Sequence, residues 1–182
     1  RLVKNKKLIG YIFASETVAF ERIGFEYIRD VRAGEAIFVD TDLNMTSEEI
    51  KVGPRKHCFF EWEYFSRAPS LIEGKKVNMV RYQLGKELAK DYLENPNRPQ
   101  LDLVTYIPET PLPIAKGFSK GIDIDLKIAI EKNRYLGRNF IKPSEEKRQR
   151  DIIKGMIPLR EVIINKSVAV VDDSLVRGST SK

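Results

Sequence analysis

The chain has almost none of the residues that disulfide-stabilised and zinc-binding proteins depend on. Its 182 residues include one cysteine, Cys58, and one histidine, His57. An internal disulfide needs two cysteines, and a Cys/His zinc site needs three or four ligands. The sequence therefore excludes both kinds of site within the chain, and the low cysteine content favours the reducing cytoplasm.

Long apolar runs are also missing. No stretch approaches the roughly 18 apolar residues that span a bilayer, and the first residues lack the apolar core of a secretory signal. Hydrophobic residues nevertheless make up 42% of the chain, which is enough for a substantial core. We therefore expect a soluble globular chain with no membrane partner, forming one domain or a small domain and part of another.

Acidic residues are outnumbered by basic ones, 26 against 32, which leaves a net charge of +6. A positive balance favours phosphorylated or other anionic partners without identifying one. The basic residues are spread along the chain and are densest at residues 142–150, with no RNA-binding aromatic pattern and no zinc-finger spacing. Nucleic acid is therefore not the expected partner, and a basic nucleic-acid binder stays as an alternative from another functional class.

The spacing of hydrophobic residues changes near residue 55. The first part combines strand-like segments with a short helix and turn: residues 8–13, residues 18–25 with the expected cap Ser15-Glu16-Thr17, and residues 35–39. Residues 40–57 are polar and contain Gly53-Pro54, which is typical of a turn region or a domain boundary. We therefore predict two domains, residues 1–54 and 55–182.

Strands and helices are expected to alternate after the boundary. The predicted strands are residues 59–65, 101–107, 125–130 and 168–171, and the predicted helices are residues 77–93, 114–119 and about 151–156. Such alternation is typical of βαβ units. The predicted fold class is α/β, with a mostly parallel sheet flanked by helices.

The end of the chain carries the clearest chemical pattern. Four apolar residues, 168–171, lead directly into Asp172 and Asp173, and a small, basic loop follows at residues 177–181. Ligands of open α/β sheets bind beyond the carboxyl ends of the strands. There, two carboxylates can accept hydrogen bonds from a vicinal diol, while backbone N–H and hydroxyl groups surround a phosphate. The pattern predicts a sugar-phosphate site; the alternative is an ordinary Asp-Ser turn after a strand.

Two further segments fit the same ligand. Pro108-Glu109-Thr110 follows another predicted strand, and parallel topology would bring it to the edge that carries the acidic pair. The basic and aromatic segment 132–143 is suited to folding over a polyanion, and Lys147, Arg148 and Arg150 extend its charge. The alternatives are a strand-to-helix turn with Thr110 as the helix cap, and a solvated basic loop.

Taken together, the motifs resemble those of type I phosphoribosyltransferases and, more closely, the amidophosphoribosyltransferase family. The resemblance covers nearly the whole chain. The motifs that carry it are Ser15-Glu16-Thr17, residues 58–67, Ile107-Pro108-Glu109-Thr110, Lys132-Asn133-Arg134-Tyr135-Leu136-Gly137-Arg138 with residues 139–143, and residues 171–181.

This resemblance implies an enzyme of purine synthesis that uses nitrogen from glutamine or ammonia to convert phosphoribosyl pyrophosphate (PRPP) into 5-phosphoribosylamine and pyrophosphate. Residues 1–54 would be the C-terminal part of an Ntn-hydrolase (α+β) glutaminase domain, and residues 55–182 a type I phosphoribosyltransferase domain cut after its PRPP loop. Such a fragment is expected to be inactive alone. The alternatives are another type I phosphoribosyltransferase and a non-catalytic PRPP-binding regulator.

The resemblance also implies site residues, cofactors and partners. The implied catalytic residues are Lys132, Arg134, Tyr135 and Arg138. The implied PRPP-binding residues are Asp172, Asp173, Ser174, Arg177, Gly178, Ser179, Thr180 and Ser181, with Mg²⁺ at Thr110, Asp172 and Asp173. Cys58 stands where some members place one ligand of a [4Fe–4S] cluster, although a buried free cysteine is the favoured interpretation. Purine nucleotides are implied as feedback inhibitors, and the enzyme as a homo-oligomer.

Overall fold

A computed structural model describes residues 1–51, 53, 56–133 and 155–174 of the chain. It divides into two compact units, Arg1–Val80 and Arg81–Lys182. The boundary predicted between residues 54 and 55 concerns family domains rather than compact units, and it stays a prediction. None of the helices in the described residues is long and apolar enough to cross a membrane.

The first unit is built from three antiparallel hairpins. They are formed by β1 (Leu2–Lys4) with β2 (Lys7–Gly10), β3 (Glu35–Val39) with β4 (Met45–Glu49), and β5 (Leu71–Ile72) with β6 (Lys75–Lys76). The Asp40 carboxylate closes the second hairpin by accepting hydrogen bonds from the N–H groups of Asp42 and Asn44, at 2.9 and 2.8 Å. The strand predicted at residues 35–39 is confirmed.

One prediction for the first unit is incomplete and another is wrong. The sequence indicates a turn region or a domain boundary at residues 40–57, but strand β4 also lies there, because the outward face of an antiparallel hairpin tolerates polar residues. Residues 59–65 were expected to form a strand, but Glu61–Phe65 form a π-helical turn that the Ser66 N–H closes on the Glu61 carbonyl at 3.1 Å. Aromatic residues favour strands only where a neighbouring strand packs against them.

The short helix α1 (Val18–Glu21) is present, but its predicted side-chain cap is not. Thr17 occupies the cap position without a side-chain cap hydrogen bond. Its hydroxyl instead accepts a hydrogen bond from the Leu71 N–H at 2.9 Å. A contact 54 residues along the chain thus replaces the local cap.

The sheet of the second unit is centred on β7 (Leu103–Tyr106). It pairs in parallel with β10 (Val168–Val171), as predicted. On the other side of β7, the Val104 N–H bonds to the Asp125 carbonyl and the Lys127 N–H to the Val104 carbonyl, both at 2.9 Å. The strand predicted at residues 125–130 is therefore only a bridge at this point. Its final residue begins β8 (Ile130–Lys132), which pairs antiparallel with β9 (Met156–Pro158).

Two helices pack against each other in this unit, residues 81–94 of α2 (Val77–Glu94) and α3 (Leu112–Ile122). Helix α4 (Arg160–Ile163) is a single turn. A Cβ atom on Gly85 would lie 1.9 Å from the Ile114 carbonyl oxygen, and one on Gly117 would lie 2.0 Å from that of Tyr82. Both predicted helices are confirmed and are longer than predicted by one or more residues. Of the helix predicted near residues 151–156, residues 151–154 lie outside the described residues and Met156 belongs to β9.

The core of the second unit lies between these helices and the sheet. Its buried residues are Ala89, Val104, Ile114, Ala115, Phe118 and Val171. The Tyr92 and Phe118 rings meet edge to face, with their centroids 5.7 Å apart. The core holds both helices against the central strand, so the carboxyl ends of β7 and β10 sit on a packed support.

Candidate functional site

The carboxyl ends of β7 and β10 meet at one edge of the sheet. The parallel register pairs Leu103 with Val168 and Tyr106 with Val171. The ladder continues to the last residue, since the Ile107 N–H bonds to the Val171 carbonyl at 2.9 Å. The two segments that follow, residues 108–110 and 172–174, therefore leave the sheet at the same edge. This confirms the parallel topology on which the predicted site depends.

The register is held at the opposite end by a reciprocal pair that sequence reasoning missed. The Asp102 N–H donates to the Ser167 carbonyl at 2.8 Å, and the Ser167 N–H donates to Asp102 Oδ2 at 2.6 Å. A one-residue slip would move every side chain of β10 to the other face of the sheet. The sequence feature that could have predicted this pair is an acidic residue directly before an apolar strand.

Asp172 and Asp173 form a small hydrogen-bonded group just past β10. The Asp173 N–H donates to Asp172 Oδ1 at 2.9 Å, and the Ser174 hydroxyl donates to Asp173 Oδ1 at 3.1 Å. Both carboxylates are half-buried. Burial raises the pKa of Asp172 above its usual value, the Asp173 N–H opposes that effect, and the neighbouring Asp173 charge adds to it. The pair concentrates negative charge and hydrogen-bond acceptors at the sheet edge.

Thr110 lies between β7 and α3 and is half-buried. Helix α3 has Pro111 at its cap position and no side-chain cap hydrogen bond, so Thr110 does not act as its side-chain cap. Pro111 and Pro113 are buried and have no N–H group. The remaining backbone donors around the start of α3 include those of Thr110, Leu112 and Ile114, so this loop offers fewer donors than one without proline.

Lys132 is exposed at the end of β8. Beyond the β8–β9 ladder, the Asn133 N–H donates to the Gly155 carbonyl at 2.8 Å. The buried hydroxyl of Thr105, in β7, accepts a hydrogen bond from the Ala129 N–H at 3.2 Å. Sequence reasoning missed this hydrogen bond between the central strand and the hairpin. The sequence feature that could have predicted it is a threonine within an apolar strand.

Several of the predicted site residues lie outside the described part of the chain. They are Arg134, Tyr135, Arg138, Arg177, Gly178, Ser179, Thr180 and Ser181. Asp172, Asp173, Ser174 and Thr110 are brought to one sheet edge, and Lys132 lies on the hairpin attached to the same sheet. The predicted assignment of all these residues to a site stays a prediction.

Cys58 is exposed, so the expectation of a buried free cysteine is wrong. It precedes the π-helical turn, whose neighbouring aromatic rings pack on one another rather than forming a buried strand around it. Within the described residues, no group of three or more His, Cys, Asp and Glu side chains is arranged to hold a metal ion.

Comparison with curated proteins finds relatives along nearly the whole chain, although no family model matches it. The chain is 37% identical over 171 residues to the amidophosphoribosyltransferase of Methanothermobacter thermautotrophicus, covering 94% of this chain and 35% of that protein. It is 39% identical over 173 residues to the enzyme of Synechocystis sp., and the match covers 94% of this chain and 34% of that enzyme. It is 38% identical over 174 residues to the Bacillus subtilis enzyme, and the match covers 95% of this chain and 35% of that enzyme.

Solved structures agree with these relatives. One, described as the allosteric regulatory enzyme of purine biosynthesis, is 37% identical with a TM-score of 0.77, covering 92% of this chain and 35% of that one. Another, the B. subtilis glutamine PRPP amidotransferase in complex with ADP and GMP, has the same identity and TM-score, with 92% and 36% covered. These matches confirm the predicted fold class. The chain spans about a third of the length of its relatives, and over that third its sequence and fold are similar to those of the amidophosphoribosyltransferases.

Proposed function

We propose that this chain carries the PRPP-binding region of an amidophosphoribosyltransferase, which replaces the pyrophosphate of PRPP with nitrogen from glutamine or free ammonia. One observation carries the proposal: the acidic pair Asp172-Asp173 and the Thr110 loop leave adjacent parallel strands at one sheet edge. That edge is where open α/β sheets bind ligands. Identity of 37–39% along 94% of the chain supports the same activity.

The acidic pair suits the sugar of PRPP. Two ionised carboxylates can each accept a hydrogen bond from one hydroxyl of a vicinal diol, and such charge-assisted bonds are stronger than neutral ones. We assign this role to Asp172 and Asp173. Ser174 and residues 177–181 follow directly in the sequence, so their hydroxyl and N–H groups are assigned to the 5′-phosphate of the same molecule.

The reaction we propose is a substitution at the C1 carbon of the ribose. The C1–O bond to pyrophosphate breaks, positive charge develops on the ring in an oxocarbenium-like transition state, and the ammonia nitrogen forms the new bond to C1. No covalent bond to the protein is required. The main tasks of the chain are then to orient the sugar, stabilise the charge of the leaving pyrophosphate and exclude water.

The oxygen donors at the edge fit Mg²⁺. This hard cation prefers carboxylate and hydroxyl oxygens and retains several waters, so it needs few protein ligands. Asp172, Asp173 and Thr110 would hold it together with oxygens of PRPP. When bound, the cation would neutralise charge on the pyrophosphate. The half-burial of Asp172, which raises the pKa of that carboxyl, favours a cationic neighbour once the group is ionised.

The basic segment suits the leaving group. Lys132 stands on the β8–β9 hairpin, which the Thr105 hydroxyl ties to the central strand. We assign to Lys132, Arg134, Tyr135 and Arg138 the stabilisation of negative charge that grows on pyrophosphate as the C1–O bond breaks, because guanidinium groups match phosphate oxygens in pairs. Closure of this segment over PRPP would keep water from competing with ammonia.

The finer assignments come from the family. We propose that purine nucleotides inhibit the enzyme, that it works as a homo-oligomer and that it is cytoplasmic. The B. subtilis structure contains ADP and GMP, which supports nucleotide inhibition. A [4Fe–4S] cluster at Cys58 would need three further thiolates, and this chain contains one cysteine; no step depends on such a cluster.

The test uses the full-length enzyme with both acids changed, Asp172→Asn and Asp173→Asn. Loss of two charge-assisted hydrogen bonds, ~1.5–3 kcal/mol each, should weaken binding of Mg²⁺–PRPP by about a hundredfold or more. Glutamine hydrolysis measured without PRPP should be nearly unchanged. Asp91→Asn, at an exposed carboxylate on α2, is the matched control. Unchanged PRPP turnover in the double variant would overturn the assignment.

Assays with different acceptors separate the alternatives. Turnover of PRPP with ammonium ion supports the amidotransferase, whereas turnover only with a nucleobase supports another type I phosphoribosyltransferase. Binding without turnover supports the regulator. RNA binding that falls steeply with salt and ignores the acidic pair supports the nucleic-acid binder.

A further inference from the structure

Thr105 lies in the central strand β7 and bonds through its side chain to the main chain beyond that strand. It is 1% exposed, and its hydroxyl accepts a hydrogen bond from the Ala129 N–H at 3.2 Å. Ala129 is fully buried as well. We call this hydrogen bond the Thr105–Ala129 tie. Both partners lie in the second compact unit.

Ala129 connects the sheet to the β8–β9 hairpin. Its N–H donates to Thr105, and its carbonyl accepts a hydrogen bond from the Leu159 N–H at 2.8 Å. The antiparallel ladder of the hairpin follows directly, from Ile130 opposite Pro158 to Lys132 opposite Met156. The hairpin is therefore held to β7 at the residue just before its ladder begins.

The chain that leads into the hairpin runs towards the proposed ligand edge. Val104 forms a parallel bridge with Leu126, so this segment has the same direction as β7. In that direction, β7 and β10 lead to the Thr110 loop and to the acidic pair. Lys132 follows Ala129 by three residues, which a chain spans in at most about 11 Å. The tie thus limits where Lys132 can lie relative to this edge.

The tie is costly to lose because both of its groups are buried. Valine has nearly the shape of threonine, but it carries a methyl group in place of the hydroxyl and cannot accept a hydrogen bond. In a Thr105→Val variant, the buried Ala129 N–H would lose its acceptor. The chain at Ala129 then has to shift to reach another acceptor or water, and the residues that follow shift with it.

We propose that Thr105 is a positioning residue for phosphoribosyl transfer, which acts through Ala129 to hold Lys132 near the leaving pyrophosphate. The inference rests on the proposed function, in which Lys132 stabilises the charge of that group. Thr105 itself is assigned no contact with PRPP. Because negative charge grows on pyrophosphate as the C1–O bond breaks, a displaced Lys132 should slow the reaction more than it weakens PRPP binding.

The test measures kcat and KM for PRPP in the full-length enzyme, with ammonium ion as the nitrogen source. For Thr105→Val we expect kcat to fall about tenfold, since misplacements of about 1 Å have effects of at least that size. The KM for PRPP should change by less than about threefold, because ground-state binding is largely retained. Thr105→Ser keeps the hydroxyl acceptor and should keep kcat within about twofold of wild type.

A double-mutant cycle shows whether Thr105 acts through Lys132. Lys132→Ala should lower kcat. Adding Thr105→Val to it should lower kcat by less than about twofold more, because the side chain that Thr105 positions is already gone. If the two substitutions instead reduce kcat independently, their effects multiply, and the positioning role is overturned.

Ala89→Gly is the control for a general loss of stability. Ala89 belongs to the buried core of the same unit, and glycine is less favourable than alanine within a helix. This variant should unfold at a lower urea concentration, while the folded enzyme keeps kcat within about twofold of wild type. An equal fall in kcat for Ala89→Gly and Thr105→Val would contradict the positioning role. If Thr105→Val does not fold, Thr105→Cys decides, because its sulfur is a weak acceptor.

The outcomes separate this inference from the proposed function. A wild-type enzyme that forms no product from PRPP overturns the proposed function. An active wild-type enzyme whose Thr105→Val variant keeps its kcat, or changes only in KM, overturns the positioning role and leaves the proposed function intact. An active enzyme in which Lys132→Ala leaves kcat unchanged overturns the roles of Lys132 and Thr105 together.

Discussion

Asp172, which we propose binds PRPP, lies where burial disfavours its charged form. It follows β10 directly, and its pKa is raised above the usual 3.8, mainly because burial disfavours the charged form. The folded state therefore binds the proton more tightly than the unfolded chain. Stability contributed by this group is lost as pH rises from about 3.8 through the raised pKa.

The raised pKa of Asp172 leads to a prediction for one substitution. Because Asn carries no charge, Asp172→Asn should raise the melting temperature at pH 7 while weakening PRPP binding. Melting curves at pH 7 and in the acid range check it, and the gain should shrink as the wild-type carboxyl becomes protonated. A lower melting temperature at pH 7 would show that the Asp172 charge stabilises the fold.

The pKa of Glu35 is shifted in the opposite direction to that of Asp172. Its side chain is 5% exposed, and Arg29 donates to both of its oxygens, at 2.8 and 2.6 Å. The Arg32 N–H adds a third hydrogen bond at 2.8 Å. These donors, Arg29 first, lower the pKa of Glu35 from 4.5 to about 2. The contribution is fully present above pH 4.5 and is lost as pH falls towards about 2.

We therefore predict that Glu35→Gln destabilises the first unit at neutral pH and has progressively less effect below pH 4.5. Chemical unfolding at a series of pH values, followed for wild type and variant, measures the difference. Glu26→Gln, in the exposed pair with Arg1, is the control and should have little effect. A difference that does not change with pH would mean that the Glu35 charge contributes nothing.

At the scale of elements, the close contact between α2 and α3 depends on glycine. A Cβ on Gly85 would stand 1.9 Å from the Ile114 carbonyl oxygen and 2.8 Å from the Phe118 nitrogen, both in the backbone of α3. A flexible side chain could move aside, but a helix backbone moves only as a whole. The close approach also brings Tyr92 and Phe118 together in the core.

Gly85→Ala should therefore destabilise the protein despite the better helix propensity of alanine. Propensity favours alanine by ~1 kcal/mol, whereas overpacking costs ~1–3 kcal/mol and belongs at its upper end for a backbone clash. We expect a net loss of about 1–2 kcal/mol in urea unfolding. Gly10→Ala, where no atom lies within 4 Å of the added Cβ, is the matched control. A stabilised Gly85→Ala variant would show that the two helices are farther apart.

The elements also show where local sequence is a reliable guide. Helix α2 and strands β3, β7 and β10 were predicted, because helical spacing and short apolar runs carry their own periodicity. The π-helical turn Glu61–Phe65 and the polar strand β4 were not. Each of these depends on partners elsewhere: a hairpin partner makes the polar strand, and the lack of one leaves the aromatic run helical.

At the scale of the whole molecule, the chain consists of two compact units with different architecture. The first is made of antiparallel hairpins, and the second is centred on a parallel pair of strands covered by helices. The net charge of +6 suits a polyanionic ligand such as PRPP. The proposed ligand edge lies in the second unit.

The sequence by itself determined the family resemblance, the parallel sheet and the acidic pair, because these depend on residue types in a local order: an apolar strand, then Asp172-Asp173, then a small basic loop. Tertiary structure alone decided the contacts between distant residues. The Asp102–Ser167 register pair, the Thr105 tie to the hairpin and the Thr17–Leu71 hydrogen bond each join positions 24 to 65 residues apart. Hydrogen bonds of this kind leave no period in the sequence, since a polar side chain can meet its partner only once the chain has folded.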